Sequence, residues 1–362
     1  MPNSPVRLIS NGILAIAFIA ALPAQERIVV ATSTILDGKG AILKNQQIVI
    51  EGSRIQSIGT NSGTVTYDLR GLTVMPGWID THIHLTRHFD ENHVMAPEGK
   101  DKPEVDAVFG AENAWLTLQA GFTTVQSLGS PIDALVRDRI NRGALPGPRV
   151  LTSLQPITNR SGAPEVLRTL VRRLKNEGAD VVKLFAKRND DAMSEQQIDA
   201  VCGEARAVGL RAVAHAIEAP VGKVVIQAGC SAVEHGYNAD DEELDLMAHR
   251  GVYFDPNFLV LHNYLDQKSS FTYGPEMLNW FARLIRDAAD CCRERASATS
   301  ELCSVPTRWR ERSAETRKSS SIVSAKARTA RWTPLSAQHR CQPSPWACNN
   351  GSGRSGREWR PI

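Results

Sequence analysis

Between residues 122 and 258 the chain alternates strand-like and helix-like runs, and nothing else in the sequence narrows its fold as much. Residues 122–128, 148–153, 179–186, 210–216, 231–236 and 252–258 are short apolar or β-branched runs. The stretches between them, 131–141, 164–177, 194–208, 221–228 and 240–249, have helical spacing, and Gly143, Gly178 and Gly229 close three of them. A helix over 107–120 precedes the series, and 275–290 is the last regular helix after it. Strands that alternate with helices of this length build βα units and a parallel sheet.

One further run stands ahead of the series: Gly71-Leu-Thr-Val-Met-Pro-Gly-Trp-Ile-Asp-Thr-His-Ile-His-Leu85. Residues i and i+2 of a strand face the same side, so His82 and His84 can grip one metal ion while Ile83 faces away. A bare His-x-His also reads as a polar pair near a strand end.

The longer phrase Val-Met-Pro-Gly-Trp-Ile-Asp-Thr-His-Ile-His resembles the first-strand signature of the metal-dependent amidohydrolase superfamily. The branch it is most similar to holds imidazolonepropionase-like and Xaa-Pro dipeptidase-like hydrolases. The resemblance covers roughly Ile28 to Arg286. It implies an α/β fold, a (β/α)8 TIM-type barrel, with one or two divalent ions at the C-terminal ends of its strands. The length of 362 residues accommodates one such barrel of about 250 residues and a small accessory domain.

Three more residues join the two histidines. Lys183 stands in the middle of Asp-Val-Val-Lys-Leu-Phe, where an ammonium is costly to bury unless it is paired or modified. Snorkelling to the barrel mouth is the plainer reading. His215 and His235 lie near the ends of the fifth and sixth strands, where polar groups of such barrels belong to active sites. By resemblance, His82 and His84 bind the more buried of two Zn ions, and His215 and His235 bind the second. A CO2-derived carbamate on Lys183 bridges the pair. His262 is a weaker substrate-pocket candidate.

The ends of the chain read differently. Arg7, the apolar stretch 13–22 and Pro23-Ala24 form a secretory signal over 1–24, with an uncleaved anchor as the rival reading. Export to the periplasm or beyond follows, with no stable membrane span after cleavage. Residues 25–70 read as three short strands, which the resemblance makes one part of a small β-sandwich completed by the C-terminus. Two of the seven cysteines, Cys202 and Cys230, precede residue 290, and no CxxC spacing supports a zinc knuckle or a disulfide framework. The net charge of +3 gives no case for a nucleic-acid partner.

The barrel segment runs over 71–290, and over 291–362 the βα periodicity stops. This tail is rich in Arg and Ser and reads as aberrant and disordered, with a natural variable extension as the other reading. The family's eighth strand ends in Gly-Thr-Asp, whose Asp binds metal and acts as base, and no Gly-Thr-Asp occurs here. Back-translated in the neighbouring frame, Cys303 to Ser321 permits FGTDAVAGALGRNAEEFI. A frameshift near residue 290 that truncates the barrel before strand eight accounts for both facts.

The function expected from the resemblance is hydrolysis of a non-ring amide or dipeptide bond by metal-activated hydroxide, impaired in this chain. A cyclic amidohydrolase and a non-catalytic truncated product stay open as alternatives. The partner expected is a small molecule or dipeptide, and an oligomer is compatible with the sequence.

Overall fold

The computed structural model describes residues 27–297 except 61, 98 and 189, with side chains described as far as residue 286. The signal over 1–24 and most of the tail over 291–362 therefore lie outside the described residues. Two compact units meet in sequence between Pro76 and Gly77.

The first unit is one four-stranded sheet. Its strands are β1 (Arg27–Leu36), β2 (Ile42–Glu51), β3 (Arg54–Gly59) and β4 (Tyr67–Val74), in the order β3-β2-β1-β4. β1 and β4 are parallel and the other pairs antiparallel. The register sets Val30 beside Ile48, Ile48 beside Ile58, and Ile28 beside Ile50, which gathers one apolar face. Ile55 and Ile58 lie on the rim and stay exposed. The sequence reading ended this region at residue 70 with three strands, whereas the structure adds Gly71 to Val74 as the end of a fourth. Thr73 and Val74 pair with Thr34 and Ile35 of β1, and Pro76, lacking an N–H, ends the run.

The second unit carries the alternation. It runs β5 (Trp78–Ile83), α1 (Pro103–Gln119), β6 (Phe122–Ser127), α2 (Ile132–Asn141), β7 (Arg149–Thr152), α3 (Pro164–Asn176) and β8 (Val181–Phe185). A two-residue-stranded hairpin follows, β9 (Lys187–Arg188) and β10 (Asp191–Ala192). Then come α4 (Glu195–Ala207), β11 (Arg211–Glu218), α5 (Ala219–Gln227), β12 (Ala232–Asn238), α6 (Asp241–Arg250) and β13 (Tyr253–Asp255). Helices α7 (Phe258–Asp266) and α8 (Pro275–Ser297) end the described chain, and α8 carries regular structure past Asp290.

The large strands form two parallel ladders, β5-β6-β7 and β8-β11-β12-β13. A bridge at Ile157 joins them: its N–H donates to the Lys183 carbonyl at 2.8 Å, and Phe185 N–H donates back to its carbonyl at 2.9 Å. No ladder joins β13 to β5 among the described residues, and the expected eighth strand lies outside them.

Alternation along the strands separates two layers. Val182, Leu184, Ala212, Ala214, Ala216 and Val233 pack with the helices, against Leu167, Leu174, Ile198 and Val225. The opposite parity puts Val181, Val213 and Ala232 together with Leu128 as an inner plug. Helix α3 shows why it forms where it does. Pro164 opens it, and Leu167, Leu170, Val171 and Leu174 make a single buried stripe, each side chain contributing roughly 1.5–3 kcal/mol of burial. Ser194 caps α4 through a reciprocal capping box with Gln197.

The cysteine spacing gave no disulfide, yet Cys202 of α4 and Cys230, just before β12, are bonded with Cα atoms 5.0 Å apart. Their meeting is a product of α4 packing against β11 and α5, which spacing along the chain does not encode.

Candidate metal centre

The site forms where the parity of the inner plug continues to the strand ends. On β8 the residue two past Val181 is Lys183, and on β11 the residue two past Val213 is His215. His82 leaves β5, and His84 follows it. Rings of neighbouring histidines are close: His82 to His84 is 5.5 Å between centroids, His82 to His235 is 5.2 Å, and His215 to His235 is 4.4 Å. All five residues named from the sequence thus meet at one place, with Lys183 only 1% exposed among them. His262 does not join; it sits exposed on α7.

His235 reaches the cluster by a route that strand periodicity does not give. Val233 packs in the helix layer, so strict alternation would send His235 outward. Its φ of 74° turns it instead, and Gly236 follows at 49°. Left-handed backbone at a non-glycine residue is a strained conformation that functional sites retain.

Three polar residues missed by the sequence reading complete the site. Glu234, 1% exposed, brings its Oε2 to 2.5 Å from His82 Nδ1. Asp255 accepts a hydrogen bond from the Thr81 hydroxyl at 2.7 Å, while its Oδ1 is buried without a hydrogen-bond partner among the described residues. The Asn257 amide donates to the Asp255 carbonyl at 3.1 Å and lies 3.1 Å from His82 Nδ1. Donor atoms of His82, Glu234 and Asp255 all fall within 4.8 Å of one another. The reasoning applied to Lys183 would have found Glu234 as well, since it too interrupts an apolar strand.

Burial dominates the electrostatics. It pushes His82, His84, His215 and His235 well below the ordinary imidazole range, so all four rings are neutral and keep a lone pair. It raises Glu234 to about 7 and Asp255 to about 6. It lowers Lys183 to about 8, against the pull of the Glu234 and Asp255 carboxylates. The Lys183 Nζ is buried and has no hydrogen-bond partner among the described residues.

A divalent metal fits these donors. Neutral imidazoles suit zinc and similar ions. An unserved buried amine beside them is what a group missing from the protein part of the site would leave behind.

Comparison with known proteins gives the same direction. A family model described as "Amidohydrolase family" matches residues 73–327. Ochratoxinase of Aspergillus niger is 23% identical over 288 residues, which span 66% of this chain and 60% of that protein. Imidazolonepropionase of Paenarthrobacter aurescens (strain TC1) is 28% identical over 178 residues, spanning 46% of this chain and 39% of that protein. A crystal structure of a Xaa-Pro dipeptidase with bound methionine superposes with a TM-score of 0.63 at 26% identity, covering 71% of this chain and 73% of that one.

Proposed function

The chain belongs to the amidohydrolase family, and from that premise we propose that it is a metal-dependent hydrolase of a non-ring carbon–nitrogen bond in a dipeptide or N-acyl compound. The observation that carries the reading is the Lys183 amine, buried without a hydrogen-bond partner among the described residues and surrounded by four neutral imidazoles. A resemblance to a dipeptidase structure supports an open amide as substrate. The similarity to imidazolonepropionase supports a ring amide as the second reading.

His82, His84, His215 and His235 would hold two Zn ions. A lysine lowered to about 8 carries an appreciable neutral fraction near neutral pH. That amine would add to CO2, forming an N–C bond and releasing one proton, and Lys183 as a carbamate would supply anionic oxygen donors to the metal ions. Bound divalent ions supply Lewis acidity for a carbonyl and lower the pKa of water. Around them the protein keeps the imidazoles neutral and excludes bulk water by burying Lys183 and Glu234. Asp255 Oδ1 has no hydrogen-bond partner among the described residues and burial has raised its affinity for a proton, which supports it as the proton acceptor.

Two further parts of the reading concern the whole chain. The apolar stretch 13–22 after Arg7 supports export. The lack of Gly-Thr-Asp supports activity well below that of a chain with the reading frame restored.

The test is a hydrolysis assay on dipeptides and N-acyl amino acids. It compares the chain as it stands with one whose frame is restored across Ser304 to Thr307, each with zinc and with a chelator. Zinc-dependent cleavage, stronger in the restored chain, is expected. A restored chain that cleaves no carbon–nitrogen bond, or one indifferent to the chelator, would overturn the proposal. Coding DNA whose neighbouring frame lacks Gly-Thr-Asp would remove the frameshift.

A further inference from the structure

Glu234 and His82 approach each other more closely than two ligands of one ion can. Zinc–donor bonds of about 2.0–2.1 Å at tetrahedral angles hold donor atoms roughly 3.3 Å apart. His82 Nδ1 and Glu234 Oε2 are 2.5 Å apart, which is the separation of a short charge-assisted hydrogen bond. Both side chains are buried, at 6% and 2% exposure, so water does not compete for either atom. One proton is held across this contact, and with that proton on Nδ1 the ring keeps its lone pair on Nε2. His235 Nδ1 lies 3.1 Å from the Tyr237 hydroxyl, a group able to donate or accept.

The carboxylate is itself held. The Asn257 amide reaches Glu234 Oε2 at 3.5 Å and the Asp255 carbonyl at 3.1 Å. Asn257 adopts φ 49° and ψ 35°, a left-handed conformation that asparagine tolerates better than most residues. Asp255 is tied in turn to Thr81, next to His82 on β5. Residues of β12, β13 and the turn after it thus fix a ring on β5, although no ladder joins β13 to β5 among the described residues.

We propose that Glu234, steadied by Asn257, is a positioning residue that locks His82 in the tautomer and orientation presenting Nε2 to a metal ion, rather than a ligand of that ion. The inference rests on the metal reading of the histidine cluster. Metal-binding histidines generally hand their second N–H to a carboxylate or carbonyl, and loss of such a partner weakens metal affinity by about 10–100-fold. The competing arrangement is direct ligation by His82, Glu234 and Asp255 as a triad.

The two arrangements separate in a metal titration of the full chain. Chelator-treated protein is titrated with Co(II), reading the visible absorption bands, and then with zinc in competition. Wild type, Glu234→Ala, Glu234→Gln and His82→Ala are compared after circular dichroism and melting confirm folding. Expected is about 10–100-fold weaker binding in Glu234→Ala with shifted Co(II) bands and unchanged stoichiometry. Glu234→Gln is nearly isosteric and keeps an acceptor for the Nδ1 proton, so it should fold and fall between wild type and the alanine variant. Glu234→Ala with wild-type affinity and bands would overturn the proposal. So would loss of a whole metal equivalent in both Glu234 variants, which makes Glu234 a ligand. A wild-type chain that takes up no Co(II) or zinc overturns the metal reading itself, an outcome distinct from both.

Discussion

Glu243 on α6 is a buried carboxylate outside the metal centre. It is 1% exposed, neither oxygen has a hydrogen-bond partner among the described residues, and it packs so tightly on α5 that a Cβ at Gly222 would lie 1.7 Å from Oε1. Burial raises it from 4.5 to about 7, assisted by Asp240 and opposed by Lys223. An acid whose folded-state pKa is raised contributes stability that is fully present below the unfolded value and lost as pH rises through the folded one. Glu243→Gln removes the charge and keeps the shape. The variant should match wild type in thermal melts below about pH 4 and exceed it near about pH 8, by up to roughly 3 kcal/mol for a shift from 4.5 to about 7. An offset that does not change with pH would reject this origin. Legibility at this scale followed chemistry. Lys183 stood out because a cation in an apolar strand is anomalous, and the histidines because the phrase around them is specific. Glu234 sits beside the more conspicuous His235 on one strand, and Asp255 and Asn257 lie inside 252–258, a strand-like run whose pattern does not show that its polar residues reach the histidines.

At the scale of elements the strands and helices between residues 122 and 250 were readable to within a few residues, since period-two and period-3.6 patterns depend only on which side is buried, whereas the β9–β10 hairpin and α7 were not read. The other exceptions share a cause. β4 and the Cys202–Cys230 bond depend on partners distant in sequence, and the end of β12 depends on a local departure from strand geometry. At that end Gly236 takes φ 49°, and a Cβ there would lie 2.5 Å from Phe254 Cε2. Gly251, closing α6 at φ 68°, has open space around its missing Cβ. Comparing alanine at the two positions separates conformation from contact. Gly251→Ala should cost about 1 kcal/mol for the left-handed backbone alone. Gly236→Ala should cost roughly 2–4 kcal/mol, because Phe254 must also move. It should weaken metal binding as well, since it displaces His235. Equal losses in urea denaturation would show that the Phe254 contact is inconsequential.

For the barrel unit as a whole, the ladders leave two groups of strands, β5-β6-β7 and β8-β11-β12-β13. Hydrogen bonds link them on one side through the Ile157 bridge and the Asp180 N–H to the Thr152 carbonyl, across the interior from the Arg211 guanidinium to Gln126 Oε1, and on the other side through Thr81 to Asp255 and His82 to Glu234. The four histidines and Lys183 divide the same way, His82 and His84 with the first group, Lys183, His215 and His235 with the second. A metal held by both sets is a cross-link that the native state has and the unfolded chain lacks. Binding to the native state alone stabilises by RT ln(1 + [L]/Kd), about 2.7 kcal/mol at a hundredfold excess over Kd. For a unit of this size that corresponds to a rise of roughly 5–10 °C in melting temperature. Zinc should therefore raise the melting temperature of the chelator-treated chain even if it hydrolyses nothing, and His82→Ala should abolish the rise. Zinc that leaves the wild-type melt unmoved at saturating concentration would mean that the two groups of strands are not joined through the histidines. A rise that survives His82→Ala would place the ion elsewhere.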